Sequence, residues 1–348
     1  GVELFKKGRF RPATFWKTGK CTLAAPAAHK DRTLLTAFKL EDQESPWFVL
    51  NCHLQAGKQG QRRVRQIQEG TKAIITMANK LKEKDPASNA RAIVCGDFNG
   101  GSDCGAVHFL EHGFVDENHI EDGGPVSSNK KELLMKPPLR DVADSVERNT
   151  PPTLVVAELI SQMVQDGDNG YENPTLTAGV VDRLTKIYHK RATQTIGGGK
   201  QMSVQDVERW LIDINGRLKR GDEYREAARQ MGWKVPEDAK DLPHNELKKL
   251  VTLPTDGVLS LEGFIAVYQR ELNGGKFWGI HHDLSILGEP LDDLGLFTAR
   301  YDRMYCSSSI EPAAILDFES DKPCPNAVEP SDHLPVAACF VPVGNDKF

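Results

Sequence analysis

The sequence predicts a mixed α/β chain in which a sheet-based domain is interrupted by an all-α insert. Three observations carry this reading. Short apolar runs of strand style fill the first part and return after about residue 291, the segments between them adopt a helical period, and Pro151-Pro152 mark the change. A length of 348 residues fits about two domains.

Strands are read in GVELF (1–5), TLLTAFKL (33–40) and PWFVLNCHL (46–54), which are rich in Val, Leu, Phe and Thr. In the segment that follows, Val64, Ile67, Thr71, Ile74, Ile75, Ala78 and Leu81 recur at three- and four-residue intervals. This spacing predicts an amphipathic helix whose Arg and Lys residues form a solvated face. Ala92 to Cys95 is a continuous apolar run closed by Gly96, a buried strand that delivers Asp97 and Asn99 to its C-terminal edge. Past ERNTPPT the helical candidates are 153–164, 177–191, 203–220, 244–252 and 259–272, separated by Gly-, Asp- and Asn-rich breaks at 166–170 and 196–200. LFTARYDRMYCSSS and the apolar run after Ser331 restore the strand pattern. The expected division assigns 1–146 and 291–348 to the sheet-based domain and 147–290 to the insert.

Hydrophobic residues at 39% and charged residues at 27% are ordinary for a globular protein, which excludes collagen-like and wholly disordered chains. The net charge of −5 provides no overall basic field, so any phosphate contact must come from a local site. Seven cysteines without CxxC spacing read as reduced, structural thiols, and hence as a cytoplasmic or other reducing compartment. No run of about 18 apolar residues is present, so no membrane segment is expected. The first residues carry neither a signal pattern nor an initiator Met, so a targeting sequence is expected to lie outside this chain.

Several short pieces share one arrangement, an apolar run that ends by releasing acidic, amide or imidazole groups. They are Asp97 and Asn99, Asp302 in ARYDRMY, Asp332 with His333 before LPVAACF, and His53 after Trp47 to Leu50. Carboxylate and amide oxygens on one sheet edge suit a hard cation such as Mg²⁺, whereas zinc would want more His or Cys. Each piece also has a plain reading. Gly-Asp-x-Asn is a common turn, a lone His after a strand is usually a surface or core residue, Ser-Asp before a strand is a polar turn, and Asp302 has Arg300 and Arg303 beside it.

Together and in this order, the pieces resemble the endonuclease/exonuclease/phosphatase family, whose members include deoxyribonuclease I, deadenylases and nocturnin-like phosphatases. The matching residues are Asn51-Cys52-His53-Leu54, Arg63-Val64-Arg65-Gln66, Gly96-Asp97-Phe98-Asn99, Tyr301-Asp302-Arg303 and Ser331-Asp332-His333-Leu334-Pro335. The lead-in Pro325-Asn326 and Glu329-Pro330 looks like the deadenylase and nocturnin side of the family. The resemblance implies a deoxyribonuclease I-like two-sheet α/β sandwich that hydrolyses phosphodiesters or phosphomonoesters with Mg²⁺ or Mn²⁺, a nucleotide or RNA phosphate being the favoured substrate. It assigns Asp97 to the attacking water, Asn99 to the scissile phosphate and Asp332 to the metal. His333, polarised by Asp302, would orient or activate the water, and His53 would donate to a phosphate oxygen. The family's first catalytic Asn and its metal-binding Glu precede the point where this sequence starts, and no Glu here matches that step. A catalytically impaired member serving as a structural or interaction subunit is therefore the alternative.

The insert resembles a paired EF-hand module, with Met202 and Leu259 at the small-sheet positions, a combination similar to plant and protist proteins. The ligands do not support calcium. Gly263 stands where one loop needs its bidentate Glu, and the other loop has Lys200 at the turn Gly and Asp206 at the last position. The acidic stretch 166–170 also lacks a twelfth-position Glu. A structural or partner-docking helix pair is the expected role of the insert.

Overall fold

The computed structural model describes residues 1–4, 12–41, 43, 45–81, 90–128, 138–145, 151–167, 170–219, 221–240, 242–316, 318 and 320–343. The chain is mixed α/β and forms two compact units, residues 1–156 with 296–348, and residues 157–295. The expected breaks at 146/147 and 290/291 fall short of these positions. The reason is local: Leu154–Ala157 is a buried strand, not the start of a helix over 153–164, and it pairs with Leu296–Ala299. The run Leu-Val-Val-Ala is apolar and β-branched, and a sequence run this short does not separate a buried strand from a buried helix. The only helical part of that stretch is Ile160–Met163.

The first unit is built on a six-stranded sheet of β1 (Cys21–Lys30), β2 (Thr33–Leu40), β3 (Trp47–His53), β4 (Arg91–Asp97), β5 (Arg140–Asp141) and β6 (Asp302–Cys306), in the order β1-β2-β3-β4-β6-β5. β3 and β4 are parallel, and a parallel pair needs a crossover; α1 (Gly60–Lys80) supplies it. The other neighbours are antiparallel. Leu50, Val64, Ile67, Ile74, Val94 and Phe98 form the core under α1 and α2 (Gly105–His112). Smaller pairings, including Ile310–Ile315 with Ala338–Pro342, complete this unit, and their apolar residues pack with those of the opposite sheet face.

The solvated face expected of α1 has one large exception. Arg63 is only 1% exposed. Its guanidinium donates to Glu121 Oε1 from Nε at 2.8 Å, to Asp122 Oδ2 at 2.5 Å, and to the carbonyls of Gln55 at 2.9 Å and Gly57 at 2.6 Å. A buried guanidinium persists only when its donors are filled in this way, and the acidic partners come from beyond α2, where spacing along α1 carries no sign of them.

The second unit is mainly helical, with α3 (Ala178–Arg191), α4 (Val204–Asn215), α5 (Gly221–Gln230), α6 (Leu261–Asn273) and α7 (Phe277–Ile286). The helix expected over 203–220 ends at Gly216, whose positive φ of 71° caps α4; α5 and α7 are additions to the sequence reading. Met202 and Leu259 exchange backbone hydrogen bonds at 3.1 and 2.9 Å, just before the caps Ser203 and Ser260 of α4 and α6. Trp210, Phe264 and Tyr268 pack beneath them. Asp206 is 2% exposed. Its Oδ2 faces the N–H and hydroxyl of both Thr193 and Ser203 at 2.7–3.1 Å, and its Oδ1 accepts from Arg209 at 2.6 Å. The donors a cation would displace are thus already built from the chain. At the other loop Gly263 offers only a backbone N–H, which donates to Ser260. These residues do not fit calcium.

Candidate active site

Three adjacent strands bring the leading candidates into a row. In the register, His53 on β3 lies beside Asp97 on β4, and Asp97 lies opposite Asp302 on β6. Side chains that share a register position on neighbouring strands face the same way, so all three arrive on one face of the sheet at one edge. The end of β4 depends on glycine. Gly96 has φ 128°, and a Cβ there would meet the Cys52 carbonyl oxygen at 2.0 Å. Asn99 takes φ 50°, a left-handed conformation that Asn tolerates. Its side chain consequently turns back on Asp97.

His333 Nδ1 donates to Asp302 Oδ2 at 2.6 Å. Its loop is held by Thr153, which is 6% exposed. The Thr153 carbonyl accepts from Leu334 N at 2.6 Å, and its hydroxyl accepts from the N–H groups of Tyr301 and Asp302 at 3.0 and 2.8 Å. Thr153 thereby joins the two segments that carry the His–Asp pair. The sequence reading places Thr153 at the start of a helix over 153–164, and no local pattern marks the distant segments it joins.

Asp97 accepts from Asn99 N at 2.7 Å and from Asn99 Nδ2 at 2.8 Å, and it lies 3.4 Å from His53 Nε2. The second amide hydrogen of Asn99 goes to the Leu54 carbonyl at 3.1 Å. Both hydrogens are committed, so in this arrangement Asn99 fixes Asp97 and offers no N–H to a substrate. Asp97, Asp302 and His333 place ligand atoms within 4.8 Å of one another, a cluster that no other set of described residues matches. Asp332, the residue assigned to the metal by resemblance, does not join them. It is exposed on the turn, and its backbone carbonyl accepts from Val155.

Burial, then the charge of Asp302, pushes the Asp97 carboxyl up to about 6. The hydrogen bond to Asp302 raises His333 to about 9, against the opposing effect of burial. At neutral pH His333 is an imidazolium and Asp97 is mostly ionised. Two like-charged carboxylates facing each other on neighbouring strands suit a divalent cation. Beside Asp302 a groove is lined by Thr153, Arg300, Met304, Phe318 and Leu334.

No protein-family model and no curated protein matches the sequence. Among solved structures, the chain is similar to ANGEL2, a 2',3'-cyclic phosphatase, in complex with adenosine-2',3'-vanadate. The identity is 14% over 98% of this chain and 74% of that one, with a TM-score of 0.43. A second ANGEL2 structure aligns at 18% identity over 38% of this chain and 42% of that one, TM-score 0.30. The human Nocturnin catalytic domain with bound sulfate anion aligns at 16% identity over 32% and 46%, TM-score 0.25. In these last two the match spans less than half of the other chain. Among the described residues no helix is long and apolar enough to cross a membrane.

Proposed function

We propose that the protein is a Mg²⁺-dependent phosphoesterase that hydrolyses a phosphodiester or phosphomonoester of RNA or a nucleotide by in-line attack of water. The observation that carries this reading is the His333–Asp302 pair, 2.6 Å long, beside Asp97, whose carboxyl is raised to about 6. A base poised near neutrality takes a proton from water efficiently, which suits Asp97. His333 keeps a proton on both nitrogens below about 9, so its Nδ1–H stays on Asp302 and its Nε2–H serves a phosphoryl oxygen. His53 stands next in the row as a second donor to that oxygen. Asn99 orients Asp97. The apolar wall formed by Met304, Phe318 and Leu334 suits a nucleobase.

Mg²⁺ or Mn²⁺ would be held by the Asp97 and Asp302 carboxylates, with Asp332 near enough in charge to affect both Asp97 and His333. When bound, the cation neutralises charge that develops on the phosphoryl oxygens. Calcium binding by the insert is not part of this reading.

One observation favours a second reading, a catalytically impaired subunit that docks partners through residues 147–290. Among the described residues no third carboxylate joins the cluster. The two readings separate on one experiment, the release of phosphate or nucleotide from RNA and nucleotide substrates with and without Mg²⁺. Activity that needs Mg²⁺ and is abolished by Asp97→Ala or His333→Ala supports the enzyme. Activity that survives both variants, or is absent with Mg²⁺ present, overturns it.

A further inference from the structure

A second group of side chains in the sheet-based unit has the features of a metal site. His108 and His112 are four residues apart on α2 and share a face. Their rings stack with centroids 4.2 Å apart, and His119, from the segment that follows the helix, brings its ring to 5.2 Å from that of His108. Each ring has one nitrogen against a backbone carbonyl. His108 Nδ1 lies 3.3 Å from Phe114 O, His112 Nδ1 lies 3.1 Å from His108 O, and His119 Nε2 lies 2.7 Å from Asp103 O. A carbonyl only accepts, so the nitrogen facing it carries the hydrogen. In the neutral rings, His108 Nε2, His112 Nε2 and His119 Nδ1 are therefore left as lone pairs. Ligating imidazoles are held in this way, with one N–H on a carbonyl or carboxylate and the other nitrogen on the metal.

We propose that His108, His112 and His119 bind a borderline transition cation, Zn²⁺ or Cu²⁺, with water completing its coordination. An all-imidazole donor set suits these ions, whereas Mg²⁺ takes oxygen ligands. The three lone pairs do not yet lie within 4.8 Å of one another, so binding turns the exposed His112 ring and the partly exposed His119 ring towards His108. Turning gives up the carbonyl contacts of His112 and His119, which the metal–imidazole bonds replace, while His108 keeps its own contact with Phe114. The bound ion links α2 to the segment after it and is separate from the chemistry at Asp97.

The test uses the whole chain carrying His333→Gln, which disables the other cluster, in a non-coordinating buffer. Calorimetry with Zn²⁺ is expected to show one site per chain, weakened about tenfold or more by adding His108→Gln, His112→Gln or His119→Gln. With Cu²⁺, electron paramagnetic resonance is expected to show coupling to imidazole nitrogens that decreases in each variant. His112→Gln and His119→Gln alter accessible rings, so they carry the test if His108→Gln impairs folding, as judged by circular dichroism of the metal-free chains. Unchanged Zn²⁺ affinity and an unchanged Cu²⁺ spectrum in those two variants overturn the proposal.

Discussion

Asp97 in the sheet-based unit and Asp206 in the helical unit are both largely buried carboxylates, yet they titrate in opposite directions. Burial pushes both up. At Asp206 the donors of Thr193 and Ser203 outweigh burial and hold the carboxyl below its ordinary value. At Asp97 the Asn99 backbone N–H is too little to offset burial and the facing Asp302, and the carboxyl rises to about 6. The difference teaches what each is for. A carboxylate whose surroundings are complete is part of the scaffold, whereas one left short of positive charge is ready for a proton or a cation.

Exchanging the charge for an isostere breaks this comparison most sharply. Asp97→Asn is expected to reduce Mg²⁺-dependent hydrolysis by about 10²–10⁴-fold, measured as kcat, because it removes the base, and its one remaining oxygen can accept only one of the two Asn99 hydrogen bonds. Asp206→Ala leaves several buried donors unfilled and is expected to destabilise the protein by about 2–4 kcal/mol in urea unfolding. Hydrolysis at permissive temperature should be unaffected. Thr153→Val removes the acceptor of two backbone N–H groups and should cost about 1–3 kcal/mol in the same measurement, with reduced kcat as the His333 loop loosens.

The smallest effects are in the pH dependence. Because the folded chain holds the Asp97 proton up to about 6, ionisation of this group opposes folding as pH rises from its ordinary value of 3.8, and the stability of Asp97→Asn relative to the parent should rise between pH 4 and pH 7. His333 behaves in the reverse manner. Its pKa is raised from 6.5 to about 9, so its contribution to stability is fully present below 6.5 and is lost as pH rises through 9. Thermal melts of the parent against His333→Gln should show that loss in the parent alone. For Mg²⁺-dependent hydrolysis, the acid limb should fall below about 6 and the alkaline limb below about 9, because a cation on Asp97 and Asp302 favours the ionised carboxylates and weakens their hold on the His333 proton.

What the sequence disclosed depended on how far a residue's partners lie along the chain. Strands β2, β3 and β4 and helix α1 follow from local pattern, and the groups released at their ends followed with them. Arg63 misled because its acidic partners, Glu121 and Asp122, come from a later turn. Asp332 is adjacent in sequence to His333 and its charge reaches both Asp97 and His333, yet its exposed carboxylate lies outside the group formed by Asp97, Asp302 and His333. Leu154–Ala157 resembled a helix because its strand partner lies beyond the insert.

The alignment of His53, Asp97 and Asp302 across β3, β4 and β6 also bears on the order of assembly. The first two members are synthesised close together, while the third follows residues 157–295. On a growing chain, therefore, the row stays open along the β6 side until the whole helical unit has been made. Closing it is a pairing between distant segments, the kind of step that slows folding most. Competence at this site arrives late, and a nascent chain halted within the insert carries the motif of the site without its geometry.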